Sequence, residues 1–227
     1  MRKAFTMIEL IFVIVIIGIL AAVVIPRTGS NKLQEAATQV ISHIRYTQHL
    51  AMVDDKFDST EVGWPNRRWM LRFQQNLVYT TLSPNNTYNN VWAYGISSDL
   101  PNFAGHNPDL KGMARNPLNI QQYLSGGYDN VLHVESPLSM SKLRLGTAYN
   151  ITNVAFGGGC RTNTMYIHFD YLGRPMNSYT SNNAAYQVSP VGFPRLLTEK
   201  CTITLTNSKG NLVIAIEPET GYAHILP

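Results

Sequence analysis

The apolar residues of the chain are concentrated near its start, where they form one long run. Every residue from 10 to 25 is large and apolar or is alanine, apart from one glycine. Counted from Phe5, the stretch covers 21 residues, close to the ~20 that an α-helix needs to cross the hydrocarbon core of a bilayer. Arg2 and Lys3 precede it, and such positive charge marks the cytoplasmic side. The pattern predicts a membrane helix over residues 5–26, with the rest of the chain outside the cytoplasm.

A second periodic pattern follows Pro26 and a short polar segment. Apolar residues return at helical spacing, and polar residues occupy the opposite face. The apolar set is Leu33, Ala37, Val40, Ile41, Ile44 and Ala51, and the polar set is Lys32, Gln34, Glu35, Gln39, Ser42 and Arg45. This pattern predicts that residues 27–54 continue the first helix as an amphipathic helix to about Met52, where Asp54 and Asp55 end it. We expect a sheet to cover the apolar face.

From residue 55 onward the chain changes to short segments of strand-forming residues separated by polar turns. The predicted strands are residues 69–74, 77–82, 91–97, 131–134, 165–170, 202–206, 212–216 and 223–226. Turns at 207–211 and 217–221 join the last three strands into an antiparallel meander. The stretch 84–127 is rich in Asn, Pro and Gly and is expected to form a long loop. The chain is therefore predicted to be α+β, with a long N-terminal helix packed on an antiparallel β-sheet head over residues 55–227.

Glu9 is the residue that an ordinary membrane anchor does not explain. A carboxylate inside a membrane-spanning segment costs roughly 2.5–3.5 kcal/mol on insertion scales. Cleavage before Phe5 would create an α-amine about one helical turn away, and the amine of one subunit could then pair with Glu9 of a neighbouring subunit. The alternative is that Glu9 lies at the membrane interface and reaches water.

The order of these features resembles the class III signal of type IV pilins and type II secretion pseudopilins. From Arg2 to Leu10 the chain reads Arg-Lys-Ala-Phe-Thr-Met-Ile-Glu-Leu, and the apolar run follows. The resemblance implies that residues 1–4 are a leader, that a prepilin peptidase cleaves between Ala4 and Phe5, and that Phe5 is then N-methylated. Ala4 is a departure from the pattern, because the family almost always has glycine before the cut.

The same resemblance implies a pilin fold and an assembling protein. The helix would hold the subunit in the bacterial inner membrane, with its N-terminus cytoplasmic and its head periplasmic, until the subunit joins a filament. Glu9 would dock the new subunit, and Pro26 matches a helix-kinking proline of the family. The implied partners are the prepilin peptidase, other pilin or pseudopilin subunits and the inner-membrane assembly platform.

A second, looser resemblance lies in the C-terminal half. Residues 169–174 read Phe-Asp-Tyr-Leu-Gly-Arg, an Ile-Thr-Leu strand follows, and residues 216–222 read Ile-Glu-Pro-Glu-Thr-Gly-Tyr. This order is similar to H-type minor pseudopilins and FimT-like minor pilins. The similarity implies a minor subunit, and the chain length agrees, because major subunits are usually shorter.

The chain has two cysteines, Cys160 and Cys201, and both follow the membrane helix. The compartment outside the inner membrane is oxidising, and each cysteine precedes a predicted strand, so neighbouring strands could place them side by side. We expect a disulfide, which would stabilise the head by about 2–4 kcal/mol. The alternative is two buried free thiols.

Candidate metal ligands are few. Four acidic residues after the second helix could offer oxygens to calcium, but their spacing fits no calcium-loop signature, and a solvated acidic loop is the favoured interpretation. These residues are Asp54, Asp55, Asp58 and Glu61. His168 and Asp170 share a strand face without a third ligand, and His43 and His49 point in different directions on the helix. We expect neither a metal nor a cofactor.

No set of catalytic residues emerges, so the chain is not expected to be an enzyme. The glycines at 157–159 are better explained as a flexible turn than as an anion-binding loop. Residues 64–69 mix tryptophan with arginine, which could stack on single-stranded DNA. The favoured interpretation is that the tryptophans pack where the first strand meets the helix and the arginines face outward.

The charge also argues against a nucleic-acid partner. The formal net charge is +4, but removal of residues 1–4 takes away Arg2 and Lys3 and leaves 16 basic against 14 acidic residues, or +2. DNA-binding FimT-like pilins have a basic C-terminal tail, whereas residues 222–227 contain neither Lys nor Arg.

We therefore expect a non-enzymatic minor pilin or pseudopilin, a structural subunit of a type II secretion pseudopilus or a type IV pilus. Two alternatives stay open at this point. One is a DNA-uptake minor pilin, and the other is a membrane-anchored periplasmic binding protein that never polymerises.

Overall fold

The computed structural model describes residues 6–24, 31–61, 63–75, 90–100, 110–127, 132–162, 165–177 and 195–227. The chain divides into two compact units, residues 1–32 and residues 33–227. Each unit is described by itself.

The first unit contains helix α1, Met7–Val24. The helix has no polar face, and its large apolar side chains from Met7 to Leu20 are 44–83% exposed. None of the described residues of this unit covers that surface. No helix among the described residues has both the length and the apolar character of a membrane span. Pro26, the predicted kink, lies outside the described residues.

Helix α2, Lys32–Val53, belongs to the second unit apart from its first residue. The predicted amphipathic pattern is confirmed, because all six predicted apolar positions are buried. Ala36 and Thr47 are buried with them. Thr47 tolerates burial because its hydroxyl donates to the carbonyl oxygen of His43 at 2.7 Å. The helix ends as predicted, just before Asp54.

The rest of the described head contains ten strands, one short α-helix and three 3-10 helices at Trp64–Arg67, Leu110–Gly112 and Ser141–Leu143. The strands are β1 Met70–Gln74, β2 Ala93–Ser97, β3 Arg115–Asn116, β4 Asn119–Tyr123, β5 Asn153–Gly158, β6 Tyr166–Phe169, β7 Pro175–Met176, β8 Cys201–Asn207, β9 Gly210–Ile216 and β10 Ala223–Ile225, and the helix is α3 Leu145–Tyr149.

The strands form two four-stranded antiparallel sheets and one hairpin. The first sheet has the order β2-β1-β6-β7, and the second has the order β10-β9-β8-β5. The β3–β4 hairpin lies beside β2, where bridges join Ser97 to Met113 and Gly95 to Ser125. Side chains from both sheets and from α2 share one apolar core.

Most of the predicted strands are present. Those at 69–74, 91–97, 165–170, 202–206, 212–216 and 223–226 are confirmed with small shifts of their ends. The strand predicted at 131–134 is wrong, because its described residues 132–134 form bends and turns. Residues 77–82 lie outside the described residues. Strands β5 and β7 and the β3–β4 hairpin are not among the predicted strands, and the hairpin lies inside the stretch expected to be a loop.

One amide group on α2 holds a turn from each sheet. Nε2 of Gln48 donates to the carbonyl oxygen of Gly173, between β6 and β7, and to that of Thr220, between β9 and β10, both at 2.7 Å. Gly173 and Gly221 have φ of +78° and +65°, which favours glycine. A Cβ on Gly221 would lie 2.8 Å from the carbonyl oxygen of Gly173. The two turns therefore meet against Gln48 without room for a side chain between them.

This arrangement predicts that Gln48→Ala destabilises the protein by about 1–3 kcal/mol, because both carbonyl oxygens lose their donor. Gln48→Glu should cost at least as much, since a carboxylate has no proton to donate to either carbonyl. Chemical denaturation of the full-length protein measures the change, with Ser42→Ala, an exposed position on the same helix, as the control. Equal midpoints for Gln48→Ala and Ser42→Ala would contradict the assignment.

Candidate functional site

The start of α1 contains a capping box built from Thr6 and Glu9. The backbone N–H of Thr6 donates to Oε2 of Glu9 at 3.1 Å, and the Thr6 hydroxyl donates to the same oxygen at 3.0 Å. The N–H of Glu9 donates to the Thr6 hydroxyl oxygen at 3.4 Å. These bonds satisfy backbone donors that a helix start leaves unpaired. Glu9 therefore has a local role that sequence reasoning missed, although the Thr-x-x-Glu spacing carries its signal.

The other N-terminal site residues are not described. Ala4 and Phe5, the predicted cleavage and N-methylation site, lie outside the described residues, as does Pro26. Their roles stay predictions.

Cys160 and Cys201 are joined by a disulfide, with their Cα atoms 4.7 Å apart. Cys160 follows the end of β5, and Cys201 begins β8, where it pairs with Gly158. A Cβ on Gly158 would lie 2.2 Å from the carbonyl oxygen of Lys200, and one on Gly159 would lie 2.4 Å from that of Glu199. The turn expected at 157–159 is confirmed in part, because Gly159 lies in a turn that the N–H of Cys160 closes by donating to the carbonyl oxygen of Gly157 at 3.3 Å. Gly157 and Gly158 belong to a strand, and the glycines let two backbones approach closely enough to be bridged.

The acidic residues after α2 are bonded within the protein. Asp54 pairs with Lys56 at 2.5 Å and accepts from the Trp69 indole at 2.9 Å. Glu61 pairs with Arg67 at 2.7 Å. Among the described residues, no three His, Cys, Asp or Glu side chains are placed to hold a metal ion.

The remaining two acids close local turns. Asp55 accepts from the N–H of Phe57 at 3.0 Å. Asp58 accepts from the N–H and the hydroxyl of Thr60 at 2.9 and 2.6 Å, and these bonds lower the pKa of Asp58. The segment is an ordered loop, with its carboxylates used for its own backbone and side chains.

Asp170 organises the turn between β6 and β7. Its side chain is fully buried and accepts from the backbone N–H groups of Leu172 and Arg174 at 3.0 and 2.8 Å. The Arg174 guanidinium binds the same carboxylate through Nε and Nη2 at 2.8 and 2.7 Å. This two-pronged ion pair shows that Asp170 has a structural role within the Phe-Asp-Tyr-Leu-Gly-Arg segment.

For the aromatic and basic segment at 64–69, the predicted packing of tryptophan is confirmed for Trp69, whereas the predicted outward orientation of the arginines fails for one of them. Trp69 is buried and bonds to the end of α2 through Asp54. The expectation that the arginines face outward is wrong for Arg68, which is 6% exposed with its guanidinium 4.8 Å from the centre of the Trp64 ring. A guanidinium stacks readily on an aromatic face, so Arg68 belongs to the packing of the segment.

His43 belongs to a polar chain between α2 and the first sheet. Its Nδ1 lies 2.6 Å from the hydroxyl of Tyr94, which also accepts from Nε2 of Gln39 at 2.9 Å. The Tyr149 hydroxyl donates to Oε1 of Gln39 at 2.7 Å. Burial lowers the pKa of His43 to about 4 and raises the pKa of Tyr94. Near neutral pH Tyr94 thus donates to a neutral His43, whose proton is on Nε2.

This burial predicts a loss of stability in acid. Unfolded chains take up a proton at His43 below about pH 6.5, whereas the folded protein does so only near pH 4. The free energy of unfolding should fall by about 2–3 kcal/mol from this residue as the pH drops through that window. His43→Gln should remove this part of the slope, while His49→Gln, at an exposed position of the same helix, should keep it. Identical slopes for the two variants would disprove the assignment.

The disulfide between Cys160 and Cys201 leads to a prediction about thiol labelling and stability. Alkylation of the denatured protein, purified without reductant, should add no label, and prior reduction should allow two labels per chain. Reduction should also lower the free energy of unfolding by about 2–4 kcal/mol, because the bridge closes a loop with a sequence separation of 41. Two labels before reduction would show that the thiols are free in the purified protein.

Comparison with known families matches only the N-terminus. Residues 1–25 match the model of the prokaryotic N-terminal methylation motif. No curated protein and no solved structure matches the chain. The matched segment contains the Arg2-Lys3 pair, the Ala4-Phe5 junction, Glu9 and the apolar helix. The chain thus carries the N-terminal signal of type IV pilins and pseudopilins, which indicates a type IV pilin-like protein.

Proposed function

We propose that the chain is a non-enzymatic minor pilin or pseudopilin, a structural subunit of a type II secretion pseudopilus or a type IV pilus. The observation that carries the proposal is the methylation motif at residues 1–25, combined with a helix that is apolar on every side. The motif supports cleavage between Ala4 and Phe5 and methylation of the new amine on Phe5.

The exposed surface of α1 supports a place in the inner membrane followed by a place in a filament. The described residues of its unit leave these side chains exposed, and in the proposed function lipid or the helices of sister subunits cover them. The proposed span covers residues 5–26, with the N-terminus cytoplasmic and the head periplasmic. Assembly on the inner-membrane platform then exchanges lipid contacts for contacts with neighbouring helices.

Glu9 has the geometry for both capping and docking. The Thr6 N–H and hydroxyl both bond to Oε2, and a carboxylate offers about four acceptor sites on its two oxygens. Cleavage would create an amine on Phe5, four residues before Glu9 in the sequence. In the proposed filament, that amine on one subunit pairs with Glu9 of its neighbour, which relieves the cost of an ionised carboxylate among apolar groups.

The head supports a minor-subunit assignment. The two segments that resemble minor subunits, residues 169–174 and 216–222, form the two turns that meet at Gln48. Each segment supplies a glycine with positive φ to the same contact. The disulfide is consistent with an oxidising compartment for the head.

If Glu9 docks the subunit, filament assembly requires the negative charge of its carboxylate and not only its capping of the helix start. Glu9→Val and Glu9→Gln should each lower the fraction of subunit recovered in sheared filaments at least about tenfold, the equivalent of one lost ion pair of ~1.4 kcal/mol. Glu9→Gln is the sharper variant, because its amide oxygen can still accept from Thr6 but cannot attract the amine of Phe5.

Thr6→Val is the matched control, since it removes the capping hydroxyl and leaves the carboxylate. It should assemble close to the wild-type level. If Glu9→Gln assembled normally while Glu9→Val failed, Glu9 would serve the helix start alone. If both assembled normally, Glu9 would have no docking role, and absence of the wild-type chain itself from the filaments would instead identify an anchored protein that does not polymerise.

A further inference from the structure

A cleft of about 560 Å³ lies on the head next to the end of α2, within the range of about 300–1,000 Å³ typical of ligand sites. We call it the aromatic cleft, and its lining residues are Asp55, Phe57, Trp64, Tyr171, Arg174 and Leu196. Phe57 is 62% exposed and Tyr171 is 48% exposed. Two of the three aromatic rings in the lining are therefore open to a ligand from solvent.

The walls of the aromatic cleft are held by contacts within the head. Phe57 meets Trp64 edge to face, with ring centres 5.2 Å apart. Tyr171 lies in the turn that Asp170 closes through its bonds to Arg174. Because these contacts lie within the protein, the cleft is preformed, and binding does not have to order its walls.

Asp55 brings a negative charge to the cleft wall. Residues 54–68 and 170–174 together contain five acidic and four basic side chains, for a formal charge of −1. Lys56, Arg67 and Arg174 form ion pairs with other carboxylates of these segments. Within the described head, no basic side chain forms an ion pair with Asp55. The negative charge that remains in this region is therefore available to a ligand in the cleft.

The Asp55 carboxylate has acceptor sites beyond those that the protein uses. Its Oδ1 accepts from the N–H of Phe57 at 3.0 Å, and a carboxylate offers about four acceptor sites on its two oxygens. The positive charge of Arg174 in the same lining is balanced by the buried carboxylate of Asp170, 2.7 Å away. The charges of the lining therefore favour a cationic ligand over an anionic one.

The aromatic rings favour the same kind of ligand. A cation is attracted to the face of an aromatic ring, most strongly to that of tryptophan. Trp64 already binds one cation of the protein, because the Arg68 guanidinium lies 4.8 Å from the centre of its ring. No basic side chain of the described residues stacks on Phe57 or Tyr171. These two rings and Asp55 together form an open cage for a positive group.

A methylated ammonium group fits this lining better than a primary one. A primary ammonium has three N–H donors and is strongly hydrated, whereas the described lining is largely apolar and has one carboxylate, that of Asp55. A quaternary ammonium has no N–H group to satisfy. Its methyl groups pack against aromatic rings, and its charge is balanced by the carboxylate.

We propose that the aromatic cleft binds a small ligand with a quaternary ammonium group of the choline type. The methylated nitrogen lies among the rings of Phe57, Trp64 and Tyr171, and its charge is balanced by Asp55. The cleft belongs to the head alone, so this binding does not depend on assembly through α1.

Titration of the full-length protein with choline chloride tests this assignment, in a maltoside detergent that has no ammonium group. Intrinsic fluorescence reports binding, because Trp64 lines the cleft. We expect a saturable change with choline and about tenfold weaker binding of its neutral analogue, in which a carbon atom replaces the nitrogen. The amide of N-acetyl-lysine, a primary ammonium, should also bind more weakly than choline.

Two variants locate the binding in the cleft. Asp55→Asn keeps an oxygen that accepts from the N–H of Phe57 and removes the charge, so choline binding should weaken about tenfold. Tyr171→Leu should weaken it by a similar factor, because one ring of the cage is lost. Tyr222→Leu is the matched control, since Tyr222 is 55% exposed and is not part of the cleft lining. It should bind choline as the wild type does.

Several results would overturn the proposal. No saturable change with choline would mean that the cleft does not bind this group, and equal binding of the neutral analogue would mean that charge is not recognised. Tighter binding of the lysine derivative would assign a primary ammonium instead. Wild-type affinity in both Asp55→Asn and Tyr171→Leu would place choline outside the cleft. Should either variant fail to fold in chemical denaturation, the comparison of choline with its neutral analogue on the wild-type protein still decides the question.

Discussion

The amide of Gln48 connects the helix of the head to both of its sheets. Its two N–H groups donate to Gly173 and Thr220 at 2.7 Å each, so the β6–β7 turn and the β9–β10 turn are fixed against the same point of α2. The polar chain through Gln39 and His43 fixes the same helix to β2. The apolar stripe of α2 supplies the burial that drives packing, while these directional bonds determine how the two sheets are placed around it.

Further contacts brace the described head around this point. The Arg174 ion pair closes the Asp170 turn next to Gly173, and the hydroxyl of Tyr46 donates to the carbonyl oxygen of Arg115 at the base of the β3–β4 hairpin. The disulfide closes the end of the second sheet, where glycines allow β5 and β8 to approach. The N-terminal unit contributes a different property, an apolar helix with one capped carboxylate at its start.

The sequence predicts well wherever the signal is periodic or local. The stripe of α2, the C-terminal meander and the N-terminal signal were all visible from spacing and order. Strand β5 was missed because its end is glycine-rich and resembles a turn until β8 lies beside it. Arg68 was placed outside because charge suggested solvent, whereas stacking on Trp64 offsets its burial. Gln48 was not identifiable, because its partners lie 125 and 172 residues away. The Thr6–Glu9 capping box was readable from the sequence and was overlooked.

The central claim is that the chain becomes an assembling subunit only after processing at the N-terminus. Mass spectrometry of the N-terminal peptide, taken from subunits in sheared filaments, tests this most directly. The account predicts a peptide that begins at Phe5 and carries one added methyl group on its amine. A peptide that begins at Met1, or one that begins after the apolar run, would contradict the account, because neither would place a free amine beside Glu9.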